Sequence, residues 1–572
     1  MKKLPMWQKR ARGLVIFGLA VFWGTYLVTP ADGSEHKLLG GTRGVVRSAK
    51  GEPLEGLGVQ LISPKTAIRT TVYSDEEGQY EFPKLETGVY TLHITRPLEY
   101  KPYQRESISI DGDTQLEDIV LERVSNNEYL PPTPEILPQL SGVDWVLNLP
   151  GTGHEKRVFT IGCGFGCHSY QQIFRNRYDE KSWRLIVQRM LRGAGSPLIH
   201  LNRQPLDDAA ARERIPMRSV PSEEIITKWL AKVRGPESKD NTPLHVLPRP
   251  RGESTRVIVT EYELPRTLLA PHDVHGDSKG NIWYTPHRSP YVGALNPRTG
   301  EVKEYRPPDI PDVLPGTHRV WVDEKDIVWL SENWSQHLTR LDPSTGEFKR
   351  FPLTKFAGNR YNASGFHNFA MDREGNVYYM LTDGEGGPRQ VARVDSKTGK
   401  IVQRYPLKKI SNTYDNIISG DGRYWSGGTN SGNLLGLIDL KTGESWEIET
   451  KTLWANTSRG GFDRDGNAWF GGRGGMLLKL DTKTRRVTEY WPPIPYVTFY
   501  EAMPDKNGEV WAAAFGSGRF LRFNPRTEHW IEYLLPEPYS HDRRTWIDNS
   551  TDPVTVWYVD HNGYMVRIQP LE

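Results

Sequence analysis

The pattern of apolar and polar positions is periodic over the second half of the chain. From about residue 255 onward, short alternating runs recur, each reaching a Trp or Tyr just after a turn rich in Asp and Gly. The copies are Asn281-Ile-Trp283, Ile327-Val-Trp329, Asn376-Val-Tyr378, Arg423-Tyr-Trp425, Asn467-Ala-Trp469, Glu509-Val-Trp511 and Thr555-Val-Trp557. Successive aromatics are 46, 49, 47, 44, 42 and 46 residues apart. A second signature follows, clearest in Leu295-Asn-Pro-Arg-Thr-Gly300, Leu341-Asp-Pro-Ser-Thr-Gly346, Val394-Asp-Ser-Lys-Thr-Gly399 and Ile438-Asp-Leu-Lys-Thr-Gly443. Leu480-Asp-Thr-Lys-Thr484 and Phe523-Asn-Pro-Arg-Thr527 are weaker copies. Four short strands in a unit of about 45 residues make one blade of a β-propeller, so seven repeats predict seven blades over 255–572. The seventh repeat has only three strands of its own. Val257-Ile-Val-Thr-Glu-Tyr-Glu-Leu264 looks like Val302-Lys-Glu-Tyr305 and is expected to complete it. Such closure would hide the sheet edges.

Upstream the period changes. Residues 38–124 alternate with period two around Val59-Gln60-Leu61, Tyr80-Glu81-Phe82 and Tyr90-Thr-Leu-His-Ile94, punctuated by Gly and Pro. That pattern predicts a β-sandwich. Residues 125–150 carry Pro131, Pro132, Pro134 and Pro138 and read as a stiff linker. Residues 151–235 switch to helical spacing. One helix should carry Trp183, Leu185, Ile186, Val187 and Met190. A second should start near Ser222 and carry Ile225, Ile226, Trp229 and Leu230 on its apolar side.

The first 33 residues combine a basic start, Lys2-Lys3 and Lys9-Arg10, with an apolar run from Leu14 to Val28. They predict a signal peptide or a retained membrane anchor. The rest of the chain would then be periplasmic or secreted, or tethered to the inner membrane. Composition narrows the class. The 54 Gly, 42 Pro, 18 Trp and 26 Tyr among 572 residues disfavour helical bundles and disorder. With 73 Lys+Arg against 70 Asp+Glu, the net charge of +3 gives no field for nucleic acid. The membrane enters only through the N-terminal segment.

Both cysteines lie in Cys163-Gly-Phe-Gly-Cys167-His168. One reading is covalent haem c attachment with His168 as proximal ligand, although the usual spacing has two residues between the cysteines, not three. A local disulfide and a site without haem are the other readings. Met190 is the first choice for a distal ligand, ahead of Met217 and His200. Trp183-Arg-Leu-Ile-Val-Gln-Arg-Met190 resembles haem domains of periplasmic oxidoreductases, which implies a small helical cytochrome c-like domain over 151–235.

In a propeller the innermost strand of each blade lines the central channel. Eleven residues before the blade aromatic stand His272, His318 and His367, then Tyr414, Ser458 and Tyr500. Three histidines at one structural position should converge near one channel mouth. Arg459, Glu501, Arg543 and Arg544 lie near the same register and suit an acidic or polyhydroxy ligand.

Two resemblances add to this reading. Gly51-Glu-Pro-Leu-Glu-Gly-Leu-Gly-Val59, Ser74-Asp-Glu-Glu-Gly-Gln-Tyr80 and Leu85-Glu-Thr-Gly-Val-Tyr-Thr-Leu92 look like the carboxypeptidase regulatory-like domain. That implies a transthyretin-like sandwich, grouped with carbohydrate-binding-like folds and used as an accessory module. Pro271-His272-Asp-Val, with the Asp-Gly-Asn turns, is similar to the virginiamycin B (streptogramin) lyase family. The resemblance implies a Mg2+-dependent elimination with His318 as base, Glu332 as Mg2+ ligand and His272 as assisting acid. The fold expected is therefore mainly β: sandwich, small helical domain and seven-bladed propeller.

Three functions remain open on sequence. The first is a haem protein whose propeller binds a small organic, peptide or carbohydrate ligand, with a periplasmic redox partner. The second is a lyase. The third is a non-catalytic binding protein, with His367, Tyr500 and Glu501 lining its channel.

Overall fold

The repeat that dominates the sequence has a local physical cause. In the computed structural model, the turn Asp of five blades accepts two kinds of hydrogen bond. Asp463 Oδ1 takes the backbone N–H groups of Asp465 and Asn467, at 3.0 and 2.8 Å, and so shapes the turn. Its Oδ2 takes the indole N–H of Trp469 at 2.8 Å. Asp277 holds Trp283 at 3.0 Å, Asp323 holds Trp329 at 3.0 Å and Asp505 holds Trp511 at 2.9 Å. Asp372 receives the Tyr378 hydroxyl at 3.0 Å. The blade aromatic can bury its ring because one carboxylate satisfies both the turn and its polar atom. The fourth blade departs from this: Ser419 shapes the turn and Trp425 turns its indole N–H to Asn416 at 3.1 Å.

The structure describes residues 39–571, except 126–129, 164–168, 194–221, 240–243, 267–269, 288, 312–315, 333–334, 354–365, 367, 382–389, 411–412 and 430–431. Six antiparallel sheets follow one another along 271–534, beginning with Pro271–Gly276, Ile282–Pro286, Val292–Leu295 and Val302–Tyr305. The seventh blade is built from Asp542–Asp548, Thr555–Asp560 and Tyr564–Pro570. Its fourth strand is Val257–Glu263, paired from Tyr564↔Glu263 to Pro570↔Val257. The ring is thus closed by a strand from before the first blade.

That closing strand does not end the sheet. Arg69–Tyr73 of the sandwich pairs with its other edge, Arg69 facing Glu261 and Thr71 facing Val259. One eight-stranded sheet therefore runs from the propeller bore to the far edge of the sandwich, ending on Gln104–Ile110. The edge of blade seven is covered instead of exposed. Gln60 of the sandwich donates to Glu261 at 3.1 Å, and the Tyr73 hydroxyl donates to the Leu534 carbonyl. The second sandwich sheet is Gln79–Pro83, Gly40–Ser48 and Ile119–Leu121. Val46, Val59, Leu61, Phe82 and Ile110 fill the space between them.

The segment between sandwich and propeller is helical: Gly142–Asn148, Gly153–Cys163, Tyr170–Phe174, Glu180–Gly193 and Ser222–Val233. Ser141 and Asp144 form a reciprocal cap on the first helix. Phe159 is the centre of the packing, with ring centroids 4.9 Å from Trp229, 5.1 Å from Phe174 and 5.3 Å from Tyr170. The same core includes Phe515 of blade six. Val143 N–H donates to the Gly516 carbonyl at 2.7 Å, and Arg157 donates to the Gly474 carbonyl at 3.2 Å. These helices are a wedge fused to blades five and six. Among the described residues, the packing does not support the cytochrome c-like domain expected from the sequence: Phe159, Phe174, Trp229 and Phe515 pack together at its centre. Among the described residues no helix is long and apolar enough to cross a membrane. The expected signal or anchor lies outside the described residues.

The turn carboxylate is testable. Asp463→Ala should lower stability by about 2–3 kcal/mol, because the buried Trp469 indole loses its acceptor. Equilibrium urea unfolding measures it, and a wild-type midpoint would refute this account of the repeat.

Candidate functional site

Pairing fixes which channel residues are equivalent. Val274, Gly460 and Thr545 each sit opposite the residue that follows a blade Trp, namely Tyr284, Phe470 and Tyr558. The two residues before each of them therefore correspond: His272-Asp273, Ser458-Arg459 and Arg543-Arg544. The same pairing places His318-Arg319, and the eleven-residue spacing from the blade aromatic adds Tyr414-Asp415 and Tyr500-Glu501, with Asn368 in blade three. His367 lies outside the described residues. Several inner strands shift register here, between Thr285 and Pro286, Thr457 and Gly460, and Asp542 and Thr545. Such bulges re-aim side chains that a regular strand would send to opposite faces.

The second member of each pair makes a charged floor. Arg459 Nη1 meets Asp273 at 2.9 Å, from blade five to blade one. Arg319 Nη1 meets Asp415 at 2.8 Å, from blade two to blade four. Arg544 Nη1 meets Asp415 at 3.1 Å and Glu501 at 3.0 Å. Asn368 accepts from Arg319 at 3.0 Å. These side chains are almost wholly buried and span the bore, so the mouth has a closed bottom. Burial pushes the Asp415 carboxyl up, but Arg319, Arg544 and Arg459 more than offset it and hold it below its ordinary value. Burial opposes the charge of Arg459, yet Asp273 first, then Tyr500 and Asp415, keep its pKa well above normal. Glu501 goes the other way: burial raises it to about 7 despite Arg544.

The first member of each pair carries the acid–base groups. Asp273 Oδ1 lies 2.7 Å from His272 Nδ1, and the Tyr500 hydroxyl lies 3.0 Å from His272 Nε2. Tyr500 is hydrogen-bonded in turn to Tyr414. Arg459 Nη2 lies 3.2 Å from His318 Nδ1. Guanidinium can only donate and carboxylate only accept. These partners assign His272 as the Nδ1–H tautomer, with Nε2 an acceptor, and His318 as the Nε2–H tautomer, a donor. Burial first, then His318, His287, Arg459 and Arg543, hold the pKa of His272 well below the ordinary value, so it is neutral. Arg473 lies over the Tyr414 ring at 4.9 Å and Arg543 over the Tyr500 ring at 5.1 Å.

His272, His318, Tyr500 and Glu501, expected at one mouth, are brought together. His287 joins them from the loop after Ile282–Pro286, stacked on His272 at 4.1 Å between centroids. The sequence reading missed it, and also Asp273, Arg319 and Asp415. The signal for the last three was the position following each register residue. His287 belongs to no register, so only proximity reveals it. Ligand atoms of His272, His287 and His318 all lie within 4.8 Å of one another.

Glu332 is engaged in its own set of contacts. Its carboxylate accepts from Thr339 at 2.6 Å, from Ser335 at 3.1 Å and twice from Arg350, at 2.9 and 3.1 Å. With Pro290, Pro307 and Gly316 it lines a surface recess. The expected Mg2+ does not fit this arrangement. Mg2+ requires oxygen ligands, the imidazole cluster offers nitrogen, and the one oxygen donor expected is committed to Arg350. Cys163 ends its helix half-buried, and burial pushes its thiol up to about 12. Cys167, His168, Met217 and His200 lie outside the described residues. Met190 is 36% exposed, while Trp183 and Val187 of its helix are buried.

Residues 41–122 match the carboxypeptidase regulatory-like domain family. No curated protein matches the chain. Solved structures similar to it include selenomethionine-substituted virginiamycin B lyase from Staphylococcus aureus, at 18% identity and a TM-score of 0.47, covering 55% of this chain and 99% of that one. A streptogramin B lyase structure aligns at 20% identity and 0.48, covering 56% and 99%. A catalytically inactive S. aureus virginiamycin B lyase with quinupristin aligns at 18% and 0.47, covering 55% and 99%.

Two outcomes test the floor. Arg459→Met should cost about 3–5 kcal/mol, because Asp273 is left buried without its cation. Removing Asp273 as well should recover part of the loss in a double-mutant cycle read by urea unfolding. Glu501 gives a pH signature. Its folded pKa, raised from 4.5 to about 7, favours the protonated folded state, so its stabilisation is full below pH 4.5 and fades as pH rises through 7. The wild type should therefore lose stability relative to Glu501→Gln between pH 4.5 and 7. A flat difference over that window would show that Glu501 is ionised throughout.

Proposed function

We propose that the histidine mouth of the propeller is the active site of a lyase that eliminates across a C–O bond next to a carbonyl. The observation that carries this reading is the Asp273–His272 pair. A neutral imidazole, whose Nδ1–H is held by a buried carboxylate so that Nε2 is left as the acceptor, is built to accept a proton. The hydroxyl of Tyr500 marks where that proton would come from, since it donates to Nε2 at 3.0 Å.

In the step itself, His272 Nε2 takes a proton from the carbon adjacent to the carbonyl. The electron pair of that C–H bond forms the new C=C bond. The C–O bond one carbon further breaks, and its oxygen leaves as a carboxylate or takes a proton. His318 Nε2–H, held in its tautomer by Arg459, supplies the hydrogen bond to the carbonyl oxygen as negative charge develops there. Roles are thereby exchanged relative to the sequence expectation, with His272 as base and His318 as donor. Tyr500, with Tyr414 behind it, is the proton donor for a leaving alkoxide. No metal enters the scheme.

The probe is quinupristin, the compound present in one of the similar lyase structures, together with a simple β-acyloxy ketone that carries a carboxylate. Elimination should open either compound without incorporating oxygen from labelled water, as read by mass spectrometry. His272→Gln should lower the rate about 100-fold or more. Long-range 1H–15N correlation should find His272 as the Nδ1–H tautomer and His318 as Nε2–H. The reverse tautomers would overturn the assignment of roles. Correct tautomers without turnover of either probe would favour a binding site that performs no chemistry.

A further inference from the structure

Among the described residues at the mouth, Arg543 is an arginine that no acid reaches. Arg319, Arg459 and Arg544 are each within 3.1 Å of a carboxylate. Arg543 is 5% exposed, its Nε makes no hydrogen bond, and among the described residues no carboxylate forms an ion pair with it. The acids around it are committed elsewhere. Glu501 belongs to Arg544 and to the Thr545 N–H. Asp273 belongs to Arg459 and His272. Asp542 accepts from Ser540, and burial first, then Asp560, raises its carboxyl to about 8, so it is neutral at pH 7. The remaining neighbour is the Tyr500 ring beneath the guanidinium, at 5.1 Å.

A buried cation without a counter-charge is strongly unfavourable, and proteins keep one only where something else supplies the anion. The bulge between Asp542 and Thr545 takes Arg543 out of the strand ladder, and its guanidinium lies over Tyr500 with its charge acting on His272. We infer that Arg543 is a substrate-recognition residue that binds a carboxylate carried by the ligand. The inference rests on the mouth being a ligand site, and it gives that site a substrate class: organic acids bearing one carboxylate close to the reacting carbon. The planar guanidinium matches the two oxygens of a carboxylate. Tyr500 would serve as the platform that holds the guanidinium flat while His272, next to it, meets the carbon.

The test uses the full chain and small probes: benzoate, its neutral isostere benzamide, and phenyl phosphate, with binding read by thermal shift and calorimetry. Benzoate should raise the melting temperature saturably at millimolar concentration, and benzamide should not. Arg543→Gln should weaken benzoate about tenfold or more, and Arg543→Lys should keep part of the selectivity. Arg543→Met without ligand should melt at or above the wild-type temperature, because it removes an unpaired buried charge. A lower melting temperature for Arg543→Met would make the residue structural and overturn the inference. So would equal binding of benzamide, undiminished benzoate binding by Arg543→Gln, or phenyl phosphate binding tighter than benzoate. The readout needs no turnover. Selective carboxylate binding without elimination would sink the lyase reading alone, and elimination without selectivity would sink this one alone.

Discussion

Asp415 is joined to more of the propeller than any element of sheet pairing could join. Its two oxygens receive Arg319 from blade two and Arg544 from blade seven, at 2.8 and 3.1 Å. They also receive the side-chain amide of Asn368 in blade three and, at 3.3 Å, the backbone N–H of Gly460 in blade five. Blades contact one another laterally through apolar faces, which tolerate small slips. A buried carboxylate does not, because each lost partner leaves an unsatisfied charge. The hub thus fixes the phase of the blades around the axis. Everything above the floor depends on it, since the histidines stand one residue before the floor residues.

The same constraint sets the chemistry. Arg459 can hold Asp273 and still reach His318 only if blades one, two and five keep their spacing. One guanidinium therefore fixes two imidazoles in opposite tautomers, one through the carboxylate and one directly. An acceptor and a donor side by side are what a proton-transfer site needs, and neither requires an unusual pKa to be in the right form. The eight-stranded sheet extends the rigidity outward. Blade seven carries Arg543 and Arg544 on its inner strand and the sandwich on its outer edge. The accessory domain braces the blade that bears the least compensated charge.

How much of this was legible depends on whether the cause was local. The Asp–Trp turn spans six residues and its hydrogen bonds close within them, so it left a clean repeat, and the propeller followed. The closing strand was legible because Val257–Glu263 repeats the pattern of Val302–Tyr305. The pairing of Arg69–Tyr73 with that strand was not, because both edges alternate like any other strand and no residue advertises a partner 190 positions away. The floor was half legible: Arg459, Glu501 and Arg544 stood near the right register, but their partners Asp273 and Asp415 are 186 and 129 residues from Arg459 and Arg544. The commitment of Glu332 was not legible for a related reason. Its spacing from His318 is right for one blade, and spacing does not show that Arg350 already holds it. The aromatic and apolar spacing of the helical segment fitted a haem pocket and a packed wedge equally well, since Phe159 and Trp229 serve either.

The position of the uncompensated charge follows from the topology. In blades one to six the inner strand enters from a connection within the propeller. Blade seven is the one whose sheet continues into another domain, and whose inner strand carries two adjacent arginines at the bulge. Arg544 completes the hub; Arg543, displaced by the same bulge, meets no acid among the described residues. If Asp542 were ionised it would neutralise Arg543 along the chain. Desolvation and the neighbouring Asp560 prevent that, because the two carboxyls share Ser540, at 3.1 and 2.7 Å, and cannot both be charged cheaply. The buried acid pair behind the strand thus keeps the arginine in front of it cationic and uncompensated. Charge is withheld on one side of blade seven so that it is available on the other, beside His272, where a ligand's carboxylate would restore the balance.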